Sequence, residues 1–151
     1  MSDLTIREAI LADVPALQTL YLQHLTQYPS AEPQDPARWA ALLARLIRDD
    51  HYHLLVGTRG DAVVSSVTLV VIENLTHNLR PYAVMENVVT HADHRGQGYA
   101  SALIAHVADI ARACGCYKIM LMTGSKREST LQFYERCGFS RHEKTAFLMR
   151  L

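Results

Sequence analysis

The fold of this chain is decided at Met85-Glu86-Asn87-Val88-Val89-Thr90-His91-Ala92-Asp93-His94-Arg95-Gly96-Gln97-Gly98-Tyr99-Ala100, where an apolar strand runs through a polar loop into a glycine-rich helix start. Gly96 and Gly98 lack the Cβ atoms that would keep a ligand away from the backbone. The first N–H groups of the helix have no intrahelical partners, and the positive end of the helix dipole lies beside them. Together with Arg95, they predict a binding site for a pyrophosphate.

The spacing of these glycines excludes the two familiar phosphate-binding fingerprints. The sequence contains no G-x-x-x-x-G-K-[ST], which argues against a P-loop. A dinucleotide fingerprint needs a third glycine and, about twenty positions on, an acidic residue; the chain has Ser101 and Lys118 at these places. The pattern that remains is R-x-x-G-x-A, from Arg95 to Ala100.

This pattern resembles the acetyl-CoA signature of the GNAT acetyltransferase superfamily, [RQ]-x-x-G-x-[GA]. The resemblance extends over nearly the whole chain. Residues 5–9 and 13–17 are similar to the opening strand and first helix of the family, and residues 133–139 (FYERCGF) are similar to its closing segment. The resemblance implies an α/β fold with a mixed, mostly antiparallel central sheet that is splayed at its middle strands and flanked by about four helices.

The hydrophobic pattern predicts the elements of this fold in the order β-α-α-β-β-β-α-β-α-β-β. Asp13 and Asp35 are predicted helix caps, and Ser125 with Glu128 forms a predicted capping box. Gly115 and Gly138 are predicted helix stops. The predicted helices cover residues 13–28, 35–48, 98–113 and 125–136, and the predicted strands cover residues 4–8, 51–58, 62–72, 82–90, 117–122, 140–142 and 145–151.

The family resemblance also implies a cofactor site. In GNAT enzymes the pantetheine arm of acetyl-CoA lies like an extra strand between two splayed strands, which are residues 85–90 and 117–122 here. Two positions depart from the family pattern: Ala92 stands where many relatives have proline, and Arg127 stands where many have an asparagine that contacts the cofactor. The implied cofactor-binding residues are Val88, Val89, Thr90, Arg95, Gly96, Gln97, Gly98, Tyr99, Ala100 and Arg127.

The implied reaction is attack by a neutral amine on a thioester, which needs a base for the ammonium and an acid for the leaving thiolate. Tyr134 matches the tyrosine that many family members use as the acid; the alternative is that Phe133 and Tyr134 only pack in the core. Glu86, beside the acetyl group, is the candidate base, directly or through water; the alternative is a solvated strand residue. His91 and His94 are interpreted as polar loop residues near the anion.

The acceptor amine is the part of the reaction that the sequence defines least. In the family, acceptor pockets form between the first two helices, their connector and the loop before the central strand, here residues 28–36 and 73–81. The candidate substrate-binding residues are Tyr28, His77 and Arg80. Arg80 could bind a phosphate or a carboxylate of the substrate; the alternative is that it is solvated. Residues 114–118 and 133–139 with Glu86 are similar to glucosamine-phosphate N-acetyltransferases, but those segments serve mainly fold and cofactor.

A small primary amine is therefore the predicted acceptor class, acetylated by direct attack in a ternary complex. Two other functional classes stay open. A non-catalytic acyl-CoA sensor would bind the cofactor without turnover, and the presence of Tyr134 argues against it. A protein N-acetyltransferase would have an open groove in place of a closed pocket.

Composition and charge frame these predictions. The 151 residues, 49% hydrophobic and 20% charged, predict one domain that spans 1–151. The formal net charge of zero, from 15 basic and 15 acidic residues, argues against nucleic acid or membrane as a partner, and a homodimer is compatible with this composition. The lack of a signal-like start and of an apolar run near eighteen residues predicts a cytoplasmic location.

The cysteines and histidines give no sign of a metal site. Cys114, Cys116 and Cys137 cannot all pair, and Cys-Gly-Cys lacks a second ligand pair nearby. The six histidines outside the 91–94 loop show no H-x-x-H or H-E-x-x-H spacing. The sequence therefore predicts acetyl-CoA as cosubstrate, without a metal.

Overall fold

The computed structural model describes residues 3–25 and 34–151. The chain divides into two compact units, Met1–Met120 and Leu121–Leu151, which are described separately below.

Unit 1 is built on a five-stranded sheet in the order β1-β2-β3-β4-β5. The pairs β1–β2, β2–β3 and β3–β4 are antiparallel, and the pair β4–β5 is parallel. The predicted mixed, mostly antiparallel sheet is therefore confirmed. The strands are β1 Thr5–Glu8, β2 Tyr52–Arg59, β3 Ala62–Ile72, β4 Tyr82–Thr90 and β5 Ile119–Met120.

The chain has five helices in its described residues, where about four were expected. The additional helix, α3, is a single turn in which His77 and Asn78 adopt left-handed backbone angles, a conformation that hydrophobic periodicity cannot reveal. The predicted helix over residues 13–28 is instead α1 followed by one π-helical turn, Leu20–His24, and its last residues lie outside the described part of the chain. The helices are α1 Val14–Thr19, α2 Pro36–Leu46, α3 Thr76–Leu79, α4 Tyr99–Ala113 and α5 Glu128–Arg136.

The helices of unit 1 cover both faces of the sheet. On one face, Leu54 and Val56 of β2 form a core cluster with Leu17 of α1 and Leu43 of α2. Side chains alternate between the two faces along a strand, so the neighbouring residues of β2 and β3 point to the other face, against which α4 packs. Leu42 of α2 and Ile47, which follows this helix, are about half exposed.

The two predicted aspartate caps differ in outcome. Asp35 accepts a hydrogen bond from the Ala37 N–H (2.9 Å), which confirms the cap of α2. Asp13 was predicted to cap the first helix but instead accepts hydrogen bonds from the Arg7 guanidinium (2.7 and 2.9 Å) and the Ile10 N–H (2.8 Å). Burial raises the pKa of Asp13, but these donors outweigh burial and leave the pKa below its usual value.

Unit 2 contains α5, and Gly138 ends this helix with a φ of 98°, as predicted. The predicted capping box is wrong, because Ser125 Oγ accepts from the Arg127 N–H and Glu128 pairs with Arg141. The predicted strands over residues 140–142 and 145–151 are also wrong, since neither segment has a strand partner. A segment with alternating apolar residues forms a strand only where another strand is available to pair with its backbone.

Within the described residues, no helix combines the length and apolar character that crossing a bilayer requires.

Candidate functional site

A β-bulge interrupts the pairing of β3 with β4 at the centre of the sheet. Ser66 pairs with Val89 and Thr68 pairs with Glu86, so that Val67 stands opposite two residues, Asn87 and Val88. Asn87 has a φ of 56°, in the left-handed region that asparagine tolerates better than most residues. Such a bulge bends the strand and re-aims its side chains, and bulges are frequent beside active sites.

The other edge of β4 is paired over a short distance only. The ladder with β5 joins Ala83 to Ile119 and Val84 to Met120. Among the described residues, no strand pairs with β4 beyond Val84 on this side. The predicted strand over residues 117–122 is therefore reduced to two residues, and the open edge agrees with the splay that the family resemblance implied.

The glycine-rich turn follows β4 directly. Gly96 and Gly98 have φ values of 75° and 79°, and a Cβ atom built on either would meet no protein atom within 4 Å. Only glycine adopts this backbone conformation without a steric cost. The space over both residues is open, so a ligand can approach the backbone closely.

The start of α4 leaves hydrogen-bond donors unused by its own helix. Gly98 is the N-cap residue, and no side chain in the described part of the chain caps this helix. Because the hydrogen bond from the Ala102 N–H to the Gly98 carbonyl (3.0 Å) begins the helical pattern, the N–H groups of Tyr99, Ala100 and Ser101 have no intrahelical acceptor. Three such donors at the positive end of a fifteen-residue helix suit an anionic ligand.

The side chains of Gln97 and Tyr99 have structural partners. The Tyr99 side chain is buried, and its hydroxyl donates to Asp3 Oδ1 (2.8 Å) and lies 3.0 Å from Gln97 Oε1. The hydrogen bond with Asp3 raises the pKa of the phenol. Tyr99 therefore offers a ligand its backbone N–H, while its ring anchors the start of α4.

Arg95 stabilises the loop that precedes Gly96 and Gly98. Its Nε donates to the Thr90 carbonyl (3.1 Å), and its Nη2 donates to the His24 carbonyl (2.9 Å). Its charge therefore lies beside the turn in a fixed position. His24 could not be predicted as a neighbour of Arg95, because the two residues are far apart along the chain.

The rings of His24 and His91 contact each other at this loop, with centroids 4.1 Å apart and planes tilted by 41°. The Nδ1 atom of His24 accepts a hydrogen bond from the Ala92 N–H (3.3 Å), which requires that nitrogen to be unprotonated. Burial lowers the pKa of His24, and repulsion from His91 and Arg95 lowers it further. The pair therefore favours the neutral form of His24 next to the turn.

Side-chain hydrogen bonds from β3 hold the end of β4 in place. The Ser65 hydroxyl lies 2.7 Å from the Val89 carbonyl oxygen, to which it donates, and 2.9 Å from Thr90 Oγ1. Val89 is buried, whereas Val88 lies at the bulge and is partly exposed. These contacts hold the backbone of the three predicted cofactor-binding residues of this strand in place.

Glu86 is exposed on β4, directly opposite Thr68 on β3. The register places it on the sheet face covered by α1 and α2. Glu86 and Thr90 are four positions apart along the strand, a span of about 13 Å. An extended ligand with its phosphates at the glycine turn would therefore lie along β4 and reach the level of Glu86.

The acceptor-site residues predicted from the loop over 73–81 lie at the opposite end of β4 from the glycine turn. The His77 ring stacks on Tyr117, with ring centroids 3.9 Å apart. Arg80 donates to the carbonyls of Gly115 (3.2 Å) and Cys116 (3.3 Å). Tyr28, the third predicted substrate-binding residue, lies outside the described residues.

An open cavity of about 700 Å³ borders the same loop. Its walls combine acidic and apolar side chains. The residues that line it are Asp50, His51, Val71, Glu73, Asn74, Leu75, Leu79, Pro81 and Cys114.

Tyr134 and Arg127 belong to unit 2. The Tyr134 ring is half-buried and makes edge contacts with Phe133 and Phe139, with centroids 5.1 and 6.3 Å away. Arg127 precedes α5, and its carbonyl accepts hydrogen bonds from the Thr130 and Leu131 N–H groups. The roles of both residues toward a ligand stay predictions.

In residues 3–25 and 34–151, no group of three or more histidine, cysteine, aspartate or glutamate side chains is arranged to hold a metal ion. The three cysteines are free thiols.

Comparison with known proteins identifies the family of this chain. Residues 16–139, which extend across both compact units, match the model of the Acetyltransferase (GNAT) family. The glucosamine 6-phosphate N-acetyltransferase of Trypanosoma brucei brucei is 32% identical over 125 residues, which cover 82% of this chain and 80% of that protein. N-alpha-acetyltransferase 30 of Schizosaccharomyces pombe is 36% identical over 66 residues, which cover 44% of this chain and 43% of that protein.

A solved structure shows the same fold. The crystal structure of a Trypanosoma brucei acetyltransferase aligns with a TM-score of 0.80 and 30% sequence identity. The alignment covers 97% of this chain and 99% of that chain.

Proposed function

The chain belongs to the GNAT acetyltransferase family and is an acetyl-transferring enzyme, and we propose that it moves the acetyl group of acetyl-CoA to a small primary amine by direct attack in a ternary complex. The observation that carries this proposal is the open glycine turn, where Gly96 and Gly98 leave free space above the backbone. The uncapped N–H groups of α4 supply donors for the pyrophosphate there. Bound acetyl-CoA supplies an activated thioester.

The residues of β4 hold the arm of the cosubstrate in this proposal. The backbone from Val88 to Thr90 lies at the bulge and on the open edge of the sheet, where an extended ligand can add to the strand. The amide groups of this segment would also stabilise the negative charge that develops on the thioester oxygen. Ser65 supports this role because its hydroxyl fixes the end of the strand.

Two side chains move protons in this proposal. Glu86 takes a proton from the acceptor ammonium, directly or through water, and its exposed position on β4 keeps it accessible to an acceptor. Tyr134 gives a proton to the leaving sulfur, as the family resemblance implies. Both roles rest on general acid–base chemistry that such groups perform when they lie within hydrogen-bond reach.

The acceptor proposed first is a phosphorylated amino sugar, because the relative with 32% identity is a glucosamine 6-phosphate N-acetyltransferase. Arg80 is the proposed contact for the phosphate, since its fork of donors suits an oxyanion. A protein N-terminus is the second candidate acceptor, supported by the shorter match to N-alpha-acetyltransferase 30.

A thiol-release assay tests the proposal. Purified protein with acetyl-CoA is offered glucosamine 6-phosphate, glucosamine, polyamines, amino acids, aminoglycosides and N-terminal peptides, with an amine-free reaction as the control for hydrolysis. We expect release with a small amine, highest with the phosphorylated amino sugar. Release with peptides alone would favour a protein acceptor, and calorimetric binding of acetyl-CoA without release would favour the sensor alternative.

A further inference from the structure

Tyr21 lies on the same face of the sheet as Glu86. It belongs to the π-helical turn Leu20–His24. Such turns are rare in proteins, and those that occur are frequently found at functional sites. The side chain is half-buried, with its ring 6.0 Å from that of Trp39. Its hydroxyl reaches Ser66 of β3 at 3.3 Å.

The hydrogen bonds around Ser66 decide which way the Tyr21 proton points. Ser66 has one hydroxyl proton and donates it to the Leu55 carbonyl at 2.9 Å. Ser66 Oγ must therefore accept from Tyr21, which leaves the Tyr21 oxygen with lone pairs and no proton to offer. Tyr21 can then bind a further partner only if that partner is a donor.

Thr68 is the next residue after Ser66 on the same face of β3. It is 2% exposed, its Oγ1 has no hydrogen-bond partner in good geometry among the described residues, and it stands directly opposite Glu86 in the β3–β4 register. Side chains in such positions have Cβ atoms about 4.5–5.5 Å apart. Burial raises the pKa of Tyr21, while the Ser66 and Thr68 hydroxyls beside it oppose that rise. The phenol therefore stays protonated at neutral pH and is not a base.

We propose that Tyr21 is an acceptor-binding residue, whose phenolic oxygen accepts a hydrogen bond from an N–H of the acceptor amine and holds that amine beside Glu86. The proposal rests on the proposed acetyl transfer. An ammonium offers only donors until it loses a proton, and a phenol with its own proton committed to Ser66 offers only lone pairs. Glu86 then provides the carboxylate that takes the proton, so Tyr21 positions the amine for it.

The test is Tyr21→Phe, which removes the hydroxyl and keeps the ring against Trp39. We expect the KM of the accepted amine to rise about tenfold, because a hydrogen bond from a charged donor is lost. The kcat should stay within about threefold of wild type, and acetyl-CoA affinity measured by calorimetry should not change. The matched control is Tyr52→Phe, whose ring lies on the same sheet face in β2 and whose removal of one hydroxyl should leave the KM unchanged.

The outcomes separate this inference from the proposed function. If the wild-type protein acetylates no amine, the proposed function fails and this inference fails with it. Turnover by the wild type combined with an unchanged KM in Tyr21→Phe refutes the inference alone. An equal rise in Tyr52→Phe also refutes it, because a general change of the aromatic face would then be the cause.

Discussion

The two ends of α4 carry glycines in the same conformation but differ in what their free backbone groups contact. Gly98 at the start has a φ of 79° and Gly115 after the end has a φ of 77°, and neither has a protein atom near its missing Cβ. At the start, no described side chain caps the helix. The start of α4 is thus an open end.

The far end of α4 is closed by the chain itself. The Gly115 N–H donates to the Arg112 carbonyl (3.0 Å), and the Cys116 N–H donates to the Ala111 carbonyl (2.9 Å). Arg80 then donates to the Gly115 carbonyl. These contacts form a common type of helix stop in which the orphan carbonyls find backbone partners.

The difference shows that a left-handed glycine is not by itself a sign of a binding site. The conformation lets the chain turn at both ends. The ends differ because the N–H groups at the start of α4 have no intrahelical acceptor, which is the arrangement that suits an anion. Substitutions at open and closed ends should therefore have different consequences. The predictions below test that difference.

Substitution of Tyr134, which lies at the closed end of α5, should have the largest effect on activity. The Tyr134 carbonyl accepts the Phe139 N–H (3.1 Å) in the helix stop of α5, and the ring packs on Phe133 and Phe139. If its hydroxyl also protonates the leaving thiolate, Tyr134→Phe should lower kcat by about 100-fold or more, with near-normal acetyl-CoA affinity. Steady-state kinetics with an accepted amine measure both.

The control is Tyr117→Phe, which removes one hydroxyl from the ring stacked on His77 near the closed end of α4. It should retain wild-type kcat. Wild-type turnover in Tyr134→Phe would make Tyr134 a packing residue, and the closed end of α5 would then be purely structural.

The glycine pair gives the next largest effect. Gly98→Ala and Gly115→Ala both impose a left-handed conformation on an L-residue, at a cost of about 1–2 kcal/mol in stability each. If the pyrophosphate binds at the glycine turn, only Gly98→Ala places a methyl group in its path to the backbone. Its acetyl-CoA affinity should fall roughly thirtyfold, about 2 kcal/mol, through weakened hydrogen bonds to a charged group.

Gly115→Ala should bind acetyl-CoA as the wild type does, and thermal unfolding should show similar destabilisation of both variants. Equal loss of affinity in the two variants would mean that strain in α4, and not the open end, controls binding. Unchanged affinity in a folded Gly98→Ala protein would remove the turn from the cofactor site.

Much of this contrast could be predicted from the sequence, because it depends on local chemistry. The glycines, the strand Tyr82–Thr90 and the stop at Gly115 follow from residue type and short-range periodicity. The Asp35 cap follows from the same kind of pattern. The open end was likewise predicted, since helix N–H groups lack partners unless a capping side chain precedes them.

The contacts that depend on distant parts of the chain could not be predicted. The bulge at Asn87 arises from the pairing register between β3 and β4. The hydrophobic composition of a strand is the same whichever register it adopts, so composition does not reveal the bulge. The position of Tyr21 beside Ser66 and of Arg95 beside His24 requires the packing of helix on sheet. The Asp13 cap failed for the same reason, because the Arg7 guanidinium on β1 takes its carboxylate.

Arg80 has the smallest expected effect and tests whether the closed end of α4 also serves the acceptor. Its Nε and Nη2 atoms are engaged by two carbonyls, but a guanidinium has five N–H donors, so some stay available for an oxyanion. Arg80→Ala should lower the free energy of unfolding by about 1 kcal/mol through the lost hydrogen bonds. The KM of a phosphate-bearing amine should rise about tenfold, while the KM of the same amine without phosphate should not change.

The matched control for Arg80 is Arg112→Ala, which removes an exposed arginine near the same helix end, where it pairs with Asp109. An exposed ion pair contributes little, so its stability and both KM values should stay close to wild type. The comparison of the two amines separates the two roles, because a lost structural contact affects both substrates alike. If the KM changes equally for both amines, or for neither, Arg80 does not bind the acceptor. Its role would then be to close the end of α4.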